Sequence, residues 1–371
     1  MKSVVIMVIG ATLLLSGCAR QDSSQKAAPF HVGFEIVDIP CEQRTLTVAV
    51  WYPTQEAPTE YQYMDPHQTV RMLAFEGEPD GDHGPYPLVV YSHRYGAGAY
   101  TGIHLAEYLA SHGFVVAAPD HTDEFTVMRI RGGGDRDMKE YFRSAIQLAR
   151  SGKDFDREAY SYRPRDISLV IDEMLRLNRT ESLFQGIIDE EAIGGMGHSL
   201  GGYTMLMVGG IDEYHDSRIT AMLLLSAGVF MFEDEEYESI TVPVMFMYGE
   251  KEGSTVRDFI NDKAADTQSA YENCHPPKFL LVIKGANHFS FGQTVFQDMW
   301  PGMGAQEGQK QADVICEYGL AFFERYVKDN LRAEEVLESD DDMLVLYRKQ
   351  LSITMLMVGG IDEYHDSRIT A

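Results

Sequence analysis

The segment Ala192-Ile-Gly-Gly-Met-Gly-His-Ser-Leu-Gly-Gly202 constrains this chain more than any other. The apolar run Ala192 to Met196 reads as a short buried strand, and it leads into Gly197-His198-Ser199-Leu200-Gly201. The apolar stretch Tyr203 to Val208 then reads as a helix. Strand, sharp turn and helix, in that order, is the setting in which G-x-S-x-G carries chemistry. The turn holds the serine in a strained conformation, so the residues two before and two after it must be small. Here they are Gly197 and Gly201. Ser199 Oγ is then lifted clear of the sheet as a nucleophile. The next amide, that of Leu200, sits at a helix N-terminus, where it can face a developing oxyanion.

The rest of the chain supplies a sheet for that turn. Phe30 to Ile39, Arg44 to Tyr52, Pro87 to Tyr91, Phe114 to Ala118, Ile219 to Leu225, Val242 to Tyr248 and Lys278 to Ile283 read as strands, the last of these closing the sheet. The second alternates in part, as an edge or half-exposed strand does. Pro53 to Pro87 reads as loop. Helices are expected over Tyr100 to His112, from Pro164 with Asp166 in its first turn, over Val256 to Ala270, and over Gln309 to Val327. Strands alternating with helices predict an α/β fold: a mainly parallel sheet of about eight strands covered on both faces. Residues from about 121 to 162 interrupt the alternation, with Gly132-Gly-Gly134 and a helix near Met138 to Arg150. This insertion leaves the C-terminal side of the sheet, where it reads either as a lid over the site or as surface elaboration.

The ends of the chain are of another kind. Lys2 followed by the apolar Val4 to Leu15 is a leader too short to span a membrane. Leu15-Ser-Gly-Cys18 resembles the lipobox of bacterial lipoproteins, which implies removal of residues 1–17 and a lipid on Cys18. Residues 18–29 are small and polar and read as a tether to a domain over 30–330. Ala19 in place of Asp after Cys18 resembles lipoproteins sorted outward, and that resemblance implies a bacterial outer membrane, on its periplasmic side or at the cell surface. Residues 331–371 read as an acidic tail, and Thr354 to Ala371 repeats Thr204 to Ala221 letter for letter. One perfect fragment at a chain end is no repeat fold, and no function is expected of it. The net charge of −26 argues against nucleic acid. Glu233-Asp-Glu-Glu236 reads as solvated acidic surface. Three cysteines besides Cys18, at 41, 274 and 316, have no metal-ligand spacing, and spacing alone assigns no disulfide.

A serine nucleophile needs a base, an orienting acid and a second oxyanion donor. After the last strand comes Lys284-Gly-Ala-Asn-His288, which places His288 beyond a strand C-terminus and after the serine in the chain. His93 and His121 lie upstream, and His198 is expected to point away from Ser199. The strand before ends Met247-Tyr-Gly-Glu250-Lys-Glu252, leaving Glu250 and Glu252 both available to accept His288 Nδ1–H. The loop Ser92-His-Arg-Tyr-Gly-Ala-Gly98 can turn an N–H toward the site, and Tyr95 N–H is favoured.

These segments resemble an α/β-hydrolase, most closely the platelet-activating-factor acetylhydrolase and predicted dienelactone hydrolase group, and more distantly the cutinase-like polyester hydrolases. The resemblance rests on Val48-Ala-Val-Trp-Tyr-Pro53, Tyr91-Ser-His93, Val116-Ala-Ala-Pro-Asp-His121, Arg163-Pro-Arg-Asp166, the elbow and Gly285-Ala-Asn-His288. Two departures stand out. Where the acetylhydrolases carry their acid, this chain reads Leu225-Ser226-Ala227, and the polyester-hydrolase pattern places it instead at Glu252. The Ser-His-Gly of the group is Ser92-His93-Arg94, a bulky cation beside the oxyanion hole. The resemblance implies a serine ester hydrolase with the triad Ser199, Glu252 and His288, oxyanion amides of Leu200 and Tyr95, no metal and no cofactor. Acetylated lipids, short-chain esters and polyesters are the expected substrates. An amidase or peptidase with the same triad, and a non-catalytic binding protein, are the alternatives.

Overall fold

The computed structural model describes residues 28–352, apart from 42–43, 66–67, 124, 127–128, 133–136, 212, 253–262, 293–304 and 340. The leader, Cys18, the tether up to residue 27 and the duplicated fragment lie outside those residues, as does the first part of the helix expected from Val256. In chain order the strands are β1 (His31–Cys41), β2 (Arg44–Thr54), β3 (Thr59–Gln62), β4 (Val70–Phe75), β5 (Tyr86–Ser92) and β6 (Val115–Pro119). They continue with β7 (Ile188–His198), β8 (Ile219–Leu225), β9 (Val244–Gly249), β10 (Lys278–Ile283) and β11 (Leu344–Gln350). The helices are α1 (Ile103–Ser111), α2 (Met138–Ser151), α3 (Tyr162–Arg179), α4 (Leu200–Gly209), α5 (Lys263–Asn273), α6 (Ala305–Tyr326) and α7 (Glu334–Leu337).

One sheet has the order β11-β10-β9-β8-β7-β5-β6-β2-β1-β4-β3. From β6 to β10 all neighbours are parallel. Strands β5, β9 and β10 are buried at every residue, as expected when both faces of a parallel sheet are covered. Two consecutive glycines of β7 show how close the cover lies. A Cβ on Gly194 would sit 2.8 Å from Phe323 of α6, and one on Gly195 would sit 2.8 Å from Met205 Sδ of α4. Successive strand residues point to opposite faces, so α6 and α4 pack on the two sides. The chain steps from β5 outward to β6 and then returns across β5 to β7. That reversal opens a crevice at the C-terminal ends of β5 and β7, where sites of this sheet type form.

Among the described residues the structure has three strands beyond the eight expected. Pro53 to Pro87 holds β3 and β4 rather than loop alone. β2 is no edge strand: β1 and β6 flank it, and Val48 to Thr54 are buried. The acidic stretch after residue 330 does not leave the domain at once. It forms α7 and then β11, which pairs antiparallel with β10, so the sheet ends at β11. Helix α3 begins at Tyr162, two residues before Pro164. Cys41, Cys274 and Cys316 are free thiols.

Candidate active site

The elbow has the geometry its sequence demands. Ser199 adopts φ 58° and ψ −117°, where a residue with a side chain is strained. The turn is held from both sides. Ser199 N–H donates to Leu225 O at 3.0 Å, and Ser199 O accepts from the amides of Gly202 at 2.9 Å and Gly228 at 3.0 Å. A Cβ on Gly197 would lie 2.2 Å from Gly201 O, and one on Gly201 would lie 1.9 Å from Ser92 O. A side chain at Gly197 would force the turn itself open, and one at Gly201 would push the elbow away from the end of β5. Leu200 is the first residue of α4.

The loops after β8, β9 and β10 converge beside this turn. His288 starts a short 3-10 helix capped by Asn287, whose side chain accepts Phe289 N–H at 2.9 Å. His198, immediately before the serine, donates Nε2–H to His288 O at 2.8 Å, and the two rings lie 5.1 Å apart. Burial and the nearby His288 ring and Arg94 guanidinium push the His198 imidazole well below its usual range, so it is neutral. His198 thus clasps the loop that carries the imidazole.

Between the two acids the geometry separates cleanly. Glu252 is 4% exposed; its Oε1 accepts Gly249 N–H at 3.1 Å and its Oε2 lies 3.4 Å from His288 Nδ1. Glu250 instead accepts Gly285 N–H at 2.8 Å, closing the loop behind the histidine. Ser226 stands between Glu252 and His288. Its Oγ donates to Glu252 Oε2 at 2.7 Å and lies 2.5 Å from His288 Nδ1. The imidazole is thus nearer the hydroxyl than the carboxylate.

Behind the loop Ser92 to Gly98 lies a buried polar network. Arg163, on α3, donates through Nε and Nη2 to both oxygens of Asp123, at 2.9 and 2.6 Å, and through Nη1 to His93 O at 2.8 Å. Asp123 also accepts Gly96 N–H at 3.0 Å, and the Arg163 cation holds its carboxyl far below the usual range. Gly96 has φ 63°, which lets the loop curl at that point. Ser92 Oγ lies 2.9 Å from His121 Nε2, and His121 Nδ1 lies 2.9 Å from Asp166, which also pairs with Arg44. Ser92, His121 and Asp166 mimic a triad, but they are 0%, 1% and 0% exposed. No substrate reaches them, and the trio serves as scaffold. The motifs Tyr91-Ser-His93, Pro119-Asp-His121 and Arg163-Pro-Arg-Asp166 therefore meet in one place and fix the loop bearing Tyr95.

The insertion packs onto the same loop. Tyr95 Oη is 2.6 Å from Ser144 Oγ of α2, and a Cβ on Gly96 would lie 2.3 Å from Tyr141. Arg94 is 3% exposed; it donates to Tyr141 Oη at 2.9 Å, and its guanidinium lies 5.6 Å from the Phe289 ring centroid. The cation thus spans from the insertion to the histidine loop. Farther along, Lys153 pairs with Glu233, and Arg157 pairs with Glu236 at 2.5 Å. Two acids of this solvated stretch are thus also ion-paired with the insertion.

Sequence reasoning missed Ser226, His198 and Asp123. Ser226 is not an acid and carries no signal of its own, and no local pattern marks Asp123. All three act through contacts between segments far apart in the chain.

The sequence matches the family described as "Platelet-activating factor acetylhydrolase, isoform II" over residues 68–159 and 166–344. A platelet-activating factor acetylhydrolase of Cavia porcellus is 24% identical over an alignment 396 residues long, covering 93% of this chain and 87% of that protein. The one of Bos taurus is 30% identical over 195 residues, covering 45% of this chain and 40% of that protein. Among solved structures, a ferulic acid esterase from Streptomyces cinnamoneus superposes with a TM-score of 0.65 at 22% identity, covering 86% of this chain and 96% of that one. At that identity the likeness speaks for the fold alone.

Proposed function

The chain belongs to the platelet-activating factor acetylhydrolase, isoform II family, an ester-hydrolase lineage, and from that premise we propose that it is a serine carboxylic-ester hydrolase working through an acyl-enzyme on Ser199. The observation carrying this reading is the strained Ser199 elbow beside the loops that bring Glu252 and His288 together. His288 Nε2 takes the Ser199 proton as Oγ attacks the ester carbonyl. The amides of Leu200 and Tyr95 receive the oxyanion, a donor pair of which each member is typically worth roughly two to three orders of magnitude in rate. His288 then returns the proton to the leaving alkoxide. Water, activated by the same imidazole, releases the acyl group. Acetylated lipids, short-chain esters and polyesters are the substrate classes.

The insertion, joined to the Tyr95 loop through Tyr141 and Ser144, covers the site as a lid. Cleavage before Cys18 and lipidation of its sulfur anchor the enzyme to a bacterial membrane, with the residues up to 29 as tether. A membrane-bound Cys18→Ser protein would refute that anchoring.

The central test is labelling with a serine-reactive phosphonate. Wild type is labelled at Ser199, and Ser199→Ala loses both label and p-nitrophenyl ester turnover, by on the order of 10⁶. Retained turnover in Ser199→Ala would overturn the assignment. Faster cleavage of matched anilides than of esters would make the enzyme an amidase.

A further inference from the structure

We propose that Ser226 is a positioning residue through which Glu252 governs His288, a hydroxyl relay inside the triad; the inference rests on the serine-hydrolase reading above. Ser226 Oγ is 2.7 Å from Glu252 Oε2 and 2.5 Å from His288 Nδ1, whereas the direct Glu252 to His288 distance is 3.4 Å. At 3.4 Å an N–H···O bond is well beyond its preferred length, so the direct contact is the weaker path.

The chemistry of the three groups fixes the direction of the relay. An ionised carboxylate only accepts, so the single proton of the Ser226 hydroxyl goes to Glu252. The hydroxyl oxygen then offers a lone pair to His288, and Nδ1 is the nitrogen that carries hydrogen. Nε2 is left with a free lone pair, the form needed to take a proton from Ser199. A hydroxyl turned the other way would select the opposite tautomer and leave no base. During attack the Ser199 proton moves to Nε2, while Nδ1–H, the Ser226 proton and the Glu252 charge stay where they are. No net proton passes along the relay; the polarised hydroxyl conveys the negative charge toward the imidazolium.

The backbone is built to hold this residue. Ser226 has φ 45°, a conformation unfavourable to a residue with a side chain. Its N–H donates to Met247 O at 2.7 Å. Ala227 fits against Gly202, where a Cβ would come within 2.4 Å, and Gly228 N–H holds Ser199 O at 3.0 Å. A strained residue pinned on both sides in a functional loop is strain retained for a purpose. Ser226 follows β8 and Glu252 follows β9, the adjacent parallel strand, so the carboxylate stands one strand farther from the elbow than residue 226 does.

The test uses the full chain with p-nitrophenyl ester kinetics from pH 5 to 9. Ser226→Ala and Ser226→Gly, the latter relieving the positive φ, are each expected to lower kcat roughly 10- to 100-fold with little change in KM. Their acid limb of kcat/KM moves to lower pH, because the imidazolium has lost part of its stabilisation. Glu252, His198 and the Arg94 that borders Phe289 also face this region, and each is unchanged in these variants. Ser226→Ala and Glu252→Gln combined cost little more than Glu252→Gln alone, the signature of residues acting as a unit. Ser226→Asp with Glu252→Gln, which moves the acid to the relay position, recovers at least tenfold of the rate lost in Glu252→Gln. A kcat within threefold of wild type and an unmoved acid limb would overturn the relay. So would a kcat loss that is additive with Glu252→Gln and leaves the limb in place, since that is simple packing damage. Turnover surviving in Ser199→Ala would instead sink the hydrolase reading, so the two failures are distinguishable.

Discussion

His198 donates its Nε2–H to the backbone carbonyl of His288 at 2.8 Å, so the residue before the elbow serine anchors the loop that presents the imidazole. The His198 ring is buried, and leaving a buried polar group unsatisfied costs about 1–3 kcal/mol. His198→Leu is expected to lower kcat tenfold or more with KM nearly unchanged. His198→Gln, whose amide can reach the same carbonyl, keeps most of the rate. Steady-state kinetics of the two variants check this; equal rates would separate the clasp from catalysis.

Glu252 and Glu250 differ by two residues and are expected to differ by orders of magnitude. Glu252→Gln leaves the imidazolium without its counter-charge and lowers kcat by roughly 10⁴. Glu250→Gln retains an oxygen for Gly285 N–H, which Glu250 now holds at 2.8 Å, and costs less than tenfold. Measured in the reverse order, the two losses would make Glu250 the acid.

The elbow was legible because its constraints are local. Gly197, Ser199 and Gly201 announce a turn, and the flanking apolar runs announce its strand and helix. The parallel core was legible for a similar reason, since strands buried on both faces are continuous apolar runs such as Phe279 to Ile283. Strand β11 was not. Leu344-Val-Leu-Tyr-Arg-Lys-Gln350 follows an acidic stretch and reads as tail, and only its pairing with β10 makes it a strand. Strand β3, Thr59-Glu-Tyr-Gln62, is likewise polar and depends on β4. Ser226 illustrates the same limit within the site. A serine after a strand carries no signal until the ends of β8, β9 and β10 are side by side.

Stability should fall as pH drops below about 6.5, the ordinary imidazole value. His93, His121 and His198 are at most 1% exposed, and burial holds each below that value. The Arg163 cation adds to the shift for His93 and His121. Above 6.5 neither folded nor unfolded chain binds these protons, so the three groups leave stability flat. Below it the unfolded chain binds them and the folded chain does not, which costs up to about 1.4 kcal/mol per pH unit for each. Glu107 works the other way, because burial raises its carboxyl to about 7. Its folded form keeps a proton that the unfolded chain releases above the ordinary value of 4.5. Burial raises Asp120 to about 6 and also raises Glu35 and Glu317, while it lowers His104 and His112 as well, so five imidazoles against four carboxyls leave a net loss toward acid. Tm measured from pH 7.5 to 5 should therefore fall, and His198→Gln should fall less steeply; a flat wild-type curve would refute the assignment.

Two truncations should behave in opposite ways. Cutting after Leu351 removes a copy of residues 204–221, which already form α4 and the start of β8, and keeps β11 intact. Activity and Tm are expected to stay as in the full chain. Cutting after Ser339 removes β11 and uncovers β10, all six residues of which are buried. It also removes Leu344, and Tyr347, whose Oη donates to Leu337 O at 2.5 Å and whose ring packs 5.8 Å from that of Tyr318. Burying a side chain of this size contributes about 1.5–3 kcal/mol, so the loss exceeds that of one ordinary core truncation. The bared β10 also becomes an edge strand of apolar residues, with unpaired N–H and C=O groups open to another chain. The shorter protein should melt several degrees lower and aggregate near its transition. Thermal melts with light scattering on both truncations check the pair. A destabilised 1–351 protein would show that the copied segment packs against the domain, and an unaffected 1–339 protein would show that β11 adds nothing to the sheet it closes.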